Sequence, residues 1–337
     1  MEGGQVILVT GAAGHIGNAL VRYLVEKGEK VRAMVMPKED TSCFSGIKVE
    51  VVRADITCPD TLEKVFQGVD YVYHLAGIVT LEIGRGKLLH RVNVGGTKNI
   101  IEACWKYRVK RLVYFSSVHA FVEPKGEETL SEKAGFDYKK SVGKYAQSKA
   151  QASQLVQDAA KSGLDTVIVA PVGVIGPYDF KLSEMGQVLS DFYFRRLKIL
   201  IRGAYDFVDV RDVARGAVLA CKKGKTGESY ILSGGRITIK RVVEVLARNT
   251  GILVPRWTVP TWLAKLFAVF TPVYYFLLRQ KPVLTLYSIN TLNVKYKISD
   301  KKARQELGYV SRPIEESLTD TILWLKKNKW YNEKAKV

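Results

Sequence analysis

An α/β fold, a doubly wound parallel sheet joined to a smaller and mostly helical substrate lobe, is the class predicted for this chain. Three observations predict it: six short β-branched runs in the first half, longer helical patterns between them, and a glycine-rich turn directly after the first run. The runs cover residues 6–10, 30–36, 49–53, 71–75, 111–115 and 166–170. They are apolar without polar alternation, as strands buried on both faces must be, and helical crossovers then make them parallel.

The first run leads into TGAAGHIG and a helical pattern ending near Gly28. Of its three glycines, Gly11, Gly14 and Gly17, one permits the tight turn, one lets backbone approach a pyrophosphate, and one lets the helix pack on the strand. The helix N-terminus adds free N–H groups and partial positive charge, so a dinucleotide-binding Rossmann loop is expected. An acid closing the second run would hold ribose hydroxyls and favour NAD(H), but Val35 and Met36 fall there. Arg32 and Lys38 are candidate partners for a 2′-phosphate, so NADP(H) is expected, with NAD(H) the open alternative. Asp55, after the third run, reads either as an acceptor for the adenine amino group or as a cap for a helix beginning at Pro59. HLAG, residues 74–77, ends the fourth run in small residues where a cofactor would cross the strand tips, and His74 itself reads as structural.

After about residue 175 the pattern loosens. DFVDV and ESYILSG read as further short strands around a helix over residues 212–221, and prolines punctuate the rest. The dinucleotide domain is expected over residues 1–175, with 204–235 returning to it. Residues 176–203 and 236–330 would make the substrate lobe, and 331–337 a tail.

At 337 residues, with 47 % apolar and 25 % charged side chains, the chain can bury a large core. Its net charge of +19 suits an anionic ligand or surface, but the lysines are scattered without interleaved aromatics, so no nucleic-acid partner is expected. The four cysteines lack paired spacing, which predicts neither disulfides nor a metal site. Free thiols and a start that enters a strand without a basic-then-apolar leader predict a cytoplasmic protein.

TGAAGHIG, HLAG, Asn93 in RVNVGGTKN, YFSS at 114–117 and YAQSK at 145–149 stand in order along the chain. Together they resemble the extended branch of the short-chain dehydrogenase/reductases, and within it the group of 3β-hydroxysteroid dehydrogenases and dihydroflavonol reductases. The resemblance implies that Tyr145 is the general acid/base, that Lys149 one helical turn on lowers its pKa and reaches the nicotinamide ribose, and that Ser117 or its neighbour Ser116 holds the substrate oxygen. Asn93 would steady the central helix. Cofactor contacts implied in the loop are Gly11, Ala13, Gly14, His15, Ile16 and Gly17. Beyond it they are Arg32, Lys38, Asp55, Ile56, Leu75, Ala76, Gly77 and Asn93, then Tyr145, Lys149, Pro171 and Val174. A homodimer through the two long helices flanking the sheet is also implied.

Two departures from the branch matter. Ala170-Pro171 replaces a frequent Arg-Pro, and Tyr205 stands where nucleotide-sugar epimerases place a diphosphate-gripping arginine, although Arg202 is near. From Trp257 the chain reads WTVPTWLAKLFAVFTPVYYFLLRQK, too short in its uncharged stretch to span a bilayer. Residues 257–281 read as a buried helix pair, as the roof of a hydrophobic pocket, or as a peripheral membrane contact. A lipophilic alcohol or ketone, steroid-like, is the expected substrate. The rivals are a nucleotide-sugar epimerase or dehydratase with tightly held NAD, and a non-catalytic NADP(H)-binding regulator.

Overall fold

In the computed structural model, residues 4–80, 84–126, 128–255, 257–268 and 286–328 are described. Seven parallel strands form the main sheet: β1 (Val6–Thr10), β2 (Lys30–Val35), β3 (Glu50–Arg53), β4 (Tyr71–His74), β5 (Arg111–Phe115), β6 (Thr166–Pro171) and β7 (Ser229–Leu232). Their order is β3-β2-β1-β4-β5-β6-β7, so the chain reverses direction across the sheet between β1 and β4. That reversal opens a crevice at the carboxyl ends of the strands, where this class of sheet binds ligands.

Both faces of the sheet are buried, as the unalternating runs require. Val6 and Leu8 face one core with Val72, Leu112 and Ile100 of helix α2 (Gly96–Lys106). Ile7 and Val9 face the other with Leu20 and Leu24 of helix α1 (His15–Glu26). Helix α3 (Lys144–Lys161) lies beside α2, and helix α4 (Val210–Lys223) beside α1. Predicted strand ends differ from observed ones by a single residue at β2, β3, β4 and β6.

The lobe is mostly helical, as expected, and short strands join its helices. Ala204–Asp209 pairs in parallel with Gly173–Ile175 and antiparallel with Gly235–Thr238, and Trp257–Val259 pairs in parallel with Ile199–Ile201. Ala204–Asp209 contains the DFVDV run read as a strand, while the others, of three or four residues, are too short to show a period of two. Helix α5 (Ile239–Thr250) and helix α6 (Ile314–Lys327) complete the lobe over Ile175, Phe207 and Ile237. Residues 269–285 of the apolar run and the tail 331–337 lie outside the described residues. Among the described residues no helix is long and apolar enough to cross a membrane.

Candidate active site and cofactor cleft

At the tip of β1 the loop is shaped by atoms it lacks. Gly11 has φ +66°, and a Cβ there would come within 2.8 Å of the Ala76 nitrogen. A Cβ on Gly17 would sit 2.3 Å from the Gly11 carbonyl oxygen, so α1 can approach the turn only without one. Gly14 is the N-cap of α1 and offers no side-chain cap. Ala13 is buried under the turn and Ile16 packs on the core, leaving the backbone N–H groups of the first turn as the loop's polar face. His15 turns aside and donates from Nε2 to the Pro177 carbonyl at 3.0 Å. The residues present fit a dinucleotide diphosphate.

Past the tips of β2 and β3 lies a cavity of about 490 Å³ lined by Met36, Pro37, Lys38, Glu39 and Asp55. Arg53, the last residue of β3, donates to the carbonyls of Pro37 at 2.9 Å and Glu39 at 3.1 Å and so fixes the loop after β2. The Glu39 carboxylate accepts from Met36 N at 2.9 Å and pairs with Lys181, which reaches across from the lobe. Asp55 accepts from Thr57 N at 2.8 Å in a local turn four residues before Pro59, where Cys58 and not Asp55 is the N-cap, while still bordering the cavity.

Arg32 departs from its expected place. It lies in the first half of β2, donates to Glu50 at 3.0 Å and to the carbonyls of Val65 at 2.7 Å and Gln67 at 2.9 Å, and is engaged away from the strand tips. Counting from the carboxyl end of a strand, where the ligand side lies, would have directed attention to Arg53 instead. Ile56 is buried against Gly96, where a Cβ would meet its Cδ1 at 2.4 Å, so its side chain belongs to the core.

At the exit of β4, Thr10 Oγ1 accepts from the N–H groups of Leu75 at 3.2 Å and Ala76 at 3.1 Å. Its own proton goes to His74 Nδ1 at 2.8 Å. His74 Nε2 then donates to Thr97 at 3.1 Å, because Thr97 gives its hydroxyl proton to the Asn93 carbonyl at 2.6 Å. Burial pulls the His74 pKa down to about 3, and the ring is a neutral strut. Asn93 accepts from Ile78 N at 2.8 Å and donates to Ile78 O and to Ser148 Oγ, both at 3.0 Å. Both amide protons are committed, which makes Asn93 the tie between the β4 exit and α3. Gly77 lets it lie there, since a Cβ would stand 3.0 Å from Asn93 Oδ1.

Helix α3 carries Tyr145 in its first turn, half-buried, and Lys149 one turn on, buried. Lys149 Nζ donates to the Phe115 carbonyl and stands 4.6 Å from the centre of the Tyr114 ring. Burial weakens this ammonium to about 7. Tyr114, which the sequence reading passed over, is buried at the end of β5, and burial first, then Tyr145, push its phenol up. The serine pair separates cleanly. Ser153 gives its proton to Lys149 O at 2.7 Å, so Ser116 must donate to Ser153 Oγ at 2.7 Å and is tied into α3. Ser117 accepts from His119 N at 3.3 Å, and among the described residues nothing takes its proton.

Beyond Ser117, His119 Nε2 shares a hydrogen bond of 2.7 Å with the Tyr205 hydroxyl, and the two rings stack. Burial holds the His119 pKa down to about 4. Tyr205 lies across Gly173, where a Cβ would come 2.5 Å from its Cε1. Pro171 ends β6 and Val174 is half-buried in the next strand, so both border the same wall. Arg202 is exposed, its backbone N–H held by the Val259 carbonyl at 3.1 Å. Among the described residues no group of His, Cys, Asp and Glu could hold a metal ion.

Comparison with known proteins agrees with this architecture. The NAD dependent epimerase/dehydratase family profile matches residues 7–233. Sterol demethylase protein B of Methylococcus capsulatus is 33 % identical over 95 % of this chain and 98 % of its own. A putative dihydroflavonol 4-reductase of Synechocystis sp. is 32 % identical over 95 % of this chain and 94 % of its own. The crystal structure of gox2253 superposes with a TM-score of 0.82 at 29 % identity, covering 96 % of this chain and 98 % of the other. With its sheet order, glycine loop and family match, the chain belongs to the NAD-dependent epimerase/dehydratase family, in the extended short-chain dehydrogenase/reductase branch.

Proposed function

We propose that this protein interconverts a secondary alcohol and a ketone on a lipophilic ring substrate of steroid type, with NADP(H) favoured over NAD(H). The observation that carries the reading is the grouping on and around α3. Tyr145 stands one turn before buried Lys149, while Ser117 keeps its proton and Ser116 is locked away. When bound, the dinucleotide supplies or takes up hydride at its nicotinamide ring. Tyr145 passes a proton to or from the substrate oxygen, and Ser117 donates a hydrogen bond to that oxygen. Lys149 gains its proton more readily beside a phenolate, and the phenolate is stabilised in return.

The cofactor preference rests on Lys38 at the cavity edge and on Glu39, whose carboxylate is already held by Met36 N and Lys181. The lipophilic substrate rests on Tyr205, a neutral side chain bound to His119, at the position that a diphosphate-gripping arginine would fill. Relatives named for a sterol demethylase and a dihydroflavonol reductase support a ring-shaped substrate. Four unpaired cysteines support a reducing cytoplasm as its place of work. A homodimer through α2 and α3 is part of the reading, supported by Trp105, which α2 leaves exposed, and sedimentation tests it.

The test is absorbance at the reduced-nicotinamide band. Cofactor-stripped protein is given NADPH or NADH with hydrophobic ketones, and NAD(P) with the matching alcohols. Turnover of steroid-like compounds that disappears in Tyr145→Phe is the expected result. Silence across the panel, with NAD recovered from unstripped protein, overturns it in favour of an epimerase.

A further inference from the structure

Among the described residues, the second lobe leaves an apolar face uncovered. In the parallel pair of Ile199–Ile201 with Trp257–Val259, Trp257 stands opposite Ile199, and both are exposed. Two residues on, Ile201 and Val259 point to the same side and are covered by Ala264 and Ile289. Ala264 belongs to the short helix Thr261–Ala268, which therefore rests on one end of this face and leaves the other open. The helix itself turns Trp262 and Leu266, one turn apart, to solvent. Nearby in the chain, Leu253 is 87 % exposed, Trp257 74 % and Trp262 68 %.

The charge along the segments that carry this face is predominantly positive, with Asp191 beside Arg196 the nearby exception. Residues 192–205 contain Arg195, Arg196, Lys198 and Arg202 and no acid. Residues 245–299 contain seven lysines and arginines, Lys265 among them, and again no acid. Arg195, Arg196, Lys198 and Lys265 are exposed. A second copy seated on this face would set cation against cation, whereas an anionic lipid surface is complementary in both charge and polarity. Tryptophan is the side chain that settles at the boundary between headgroups and chains.

We propose that the apolar surface of Ile199 and Trp257, with the outward Trp262 and Leu266 of the adjoining helix and a fringe of Arg195, Arg196, Lys198 and Lys265, docks the protein on the surface of a bilayer containing anionic lipid. The contact is peripheral: the tryptophans enter the headgroup boundary and the basic side chains lie on the phosphates. It stands apart from the catalytic reading, since none of these residues belongs to the cofactor cleft.

Co-sedimentation of the full chain with vesicles tests this. Phosphatidylcholine vesicles carrying about a third phosphatidylglycerol should retain the protein at low salt, and pure phosphatidylcholine should retain roughly tenfold less or lower. The pair Trp257→Ala with Trp262→Ala, and separately the trio Arg195→Gln, Arg196→Gln and Lys198→Gln, should each weaken binding by roughly tenfold or more. Val51→Ala, exposed on the edge strand β3, should bind as the parent does. Should the tryptophan pair fail to fold, quenching of the parent's fluorescence by brominated-chain lipid reads the same insertion, and Trp262→Phe should reduce it. No retention on anionic vesicles at low salt overturns the proposal. So does unchanged binding in the tryptophan pair, and so does a face that instead mediates self-association.

Discussion

At the tip of β1 the chain is shaped by side chains that are absent, whereas the contacts between the sheet and the later segments are made by side chains brought together from far apart. Gly11 and Gly17 are needed because backbone atoms stand where their Cβ atoms would be, the Gly11 carbonyl six residues before Gly17 and the Ala76 backbone against Gly11. The His119–Tyr205 bond joins residues 86 apart, and the Lys181–Glu39 pair spans from the lobe to the loop after β2. The first kind of site is rigid and intolerant. The second is assembled by folding and can be retuned one residue at a time.

The largest expected effect falls at the chemistry. Tyr145→Phe should lower ketone reduction by roughly 10²–10⁴-fold with the melting temperature unchanged, because it removes a proton and little packing. Retained turnover in this variant would place the acid elsewhere. Gly17→Ala should weaken NADPH binding more than about tenfold and lower the melting temperature by several degrees, read by fluorescence titration and calorimetry. Together these two separate a purely chemical group from a purely geometric one.

Lys149 offers a third break. Burial lowers its pKa from 10.5 to about 7, so the folded state disfavours the ammonium that the unfolded chain holds. Between those values the unfolded chain binds more protons, and wild-type stability therefore rises as pH rises from about 7 toward 10.5. Lys149→Met should be more stable than the parent near neutral pH, by on the order of a few kcal/mol, and the gap should close at higher pH. Denaturant melts at several pH values give the sign, and a constant gap would contradict it. The smallest effects sharpen the cofactor question. Lys38→Glu should shift the NADPH-to-NADH preference by about tenfold, while Arg32→Ala should leave it unchanged and cost about 1 kcal/mol of stability.

Much of the molecule was legible because its signals are local. The runs at residues 6–10 and 111–115 are apolar but for Thr10 and Arg111 at their ends, and Tyr145 and Lys149 are four apart on one helix, so period and spacing sufficed for the sheet and the pair. Arg32 misled because a strand has two ends with different fates, and residue type alone does not say which end a side chain is near. The choice between Ser116 and Ser117 was illegible for another reason: it is made by Ser153, which only the packing of α3 on β5 brings alongside. His119 carries no spacing signal, since its partner Tyr205 arrives 86 residues later, and Tyr114, although inside YFSS, shows its place only once His74 and Lys149 pack on its ring.

The seventh strand gives the order of synthesis a consequence. β7 comes from residues 229–232, after most of the lobe's strands have been made, yet it pairs with β6 on the sheet's edge. Until it emerges from the ribosome, Val167, Ile168 and Val169 present an unpaired apolar edge to other nascent chains. A chain cut short before Ser229 should therefore aggregate rather than persist as a smaller dinucleotide-binding domain. The motifs that define the cleft all lie in the first half, but the half that contains them is not a module that can travel alone.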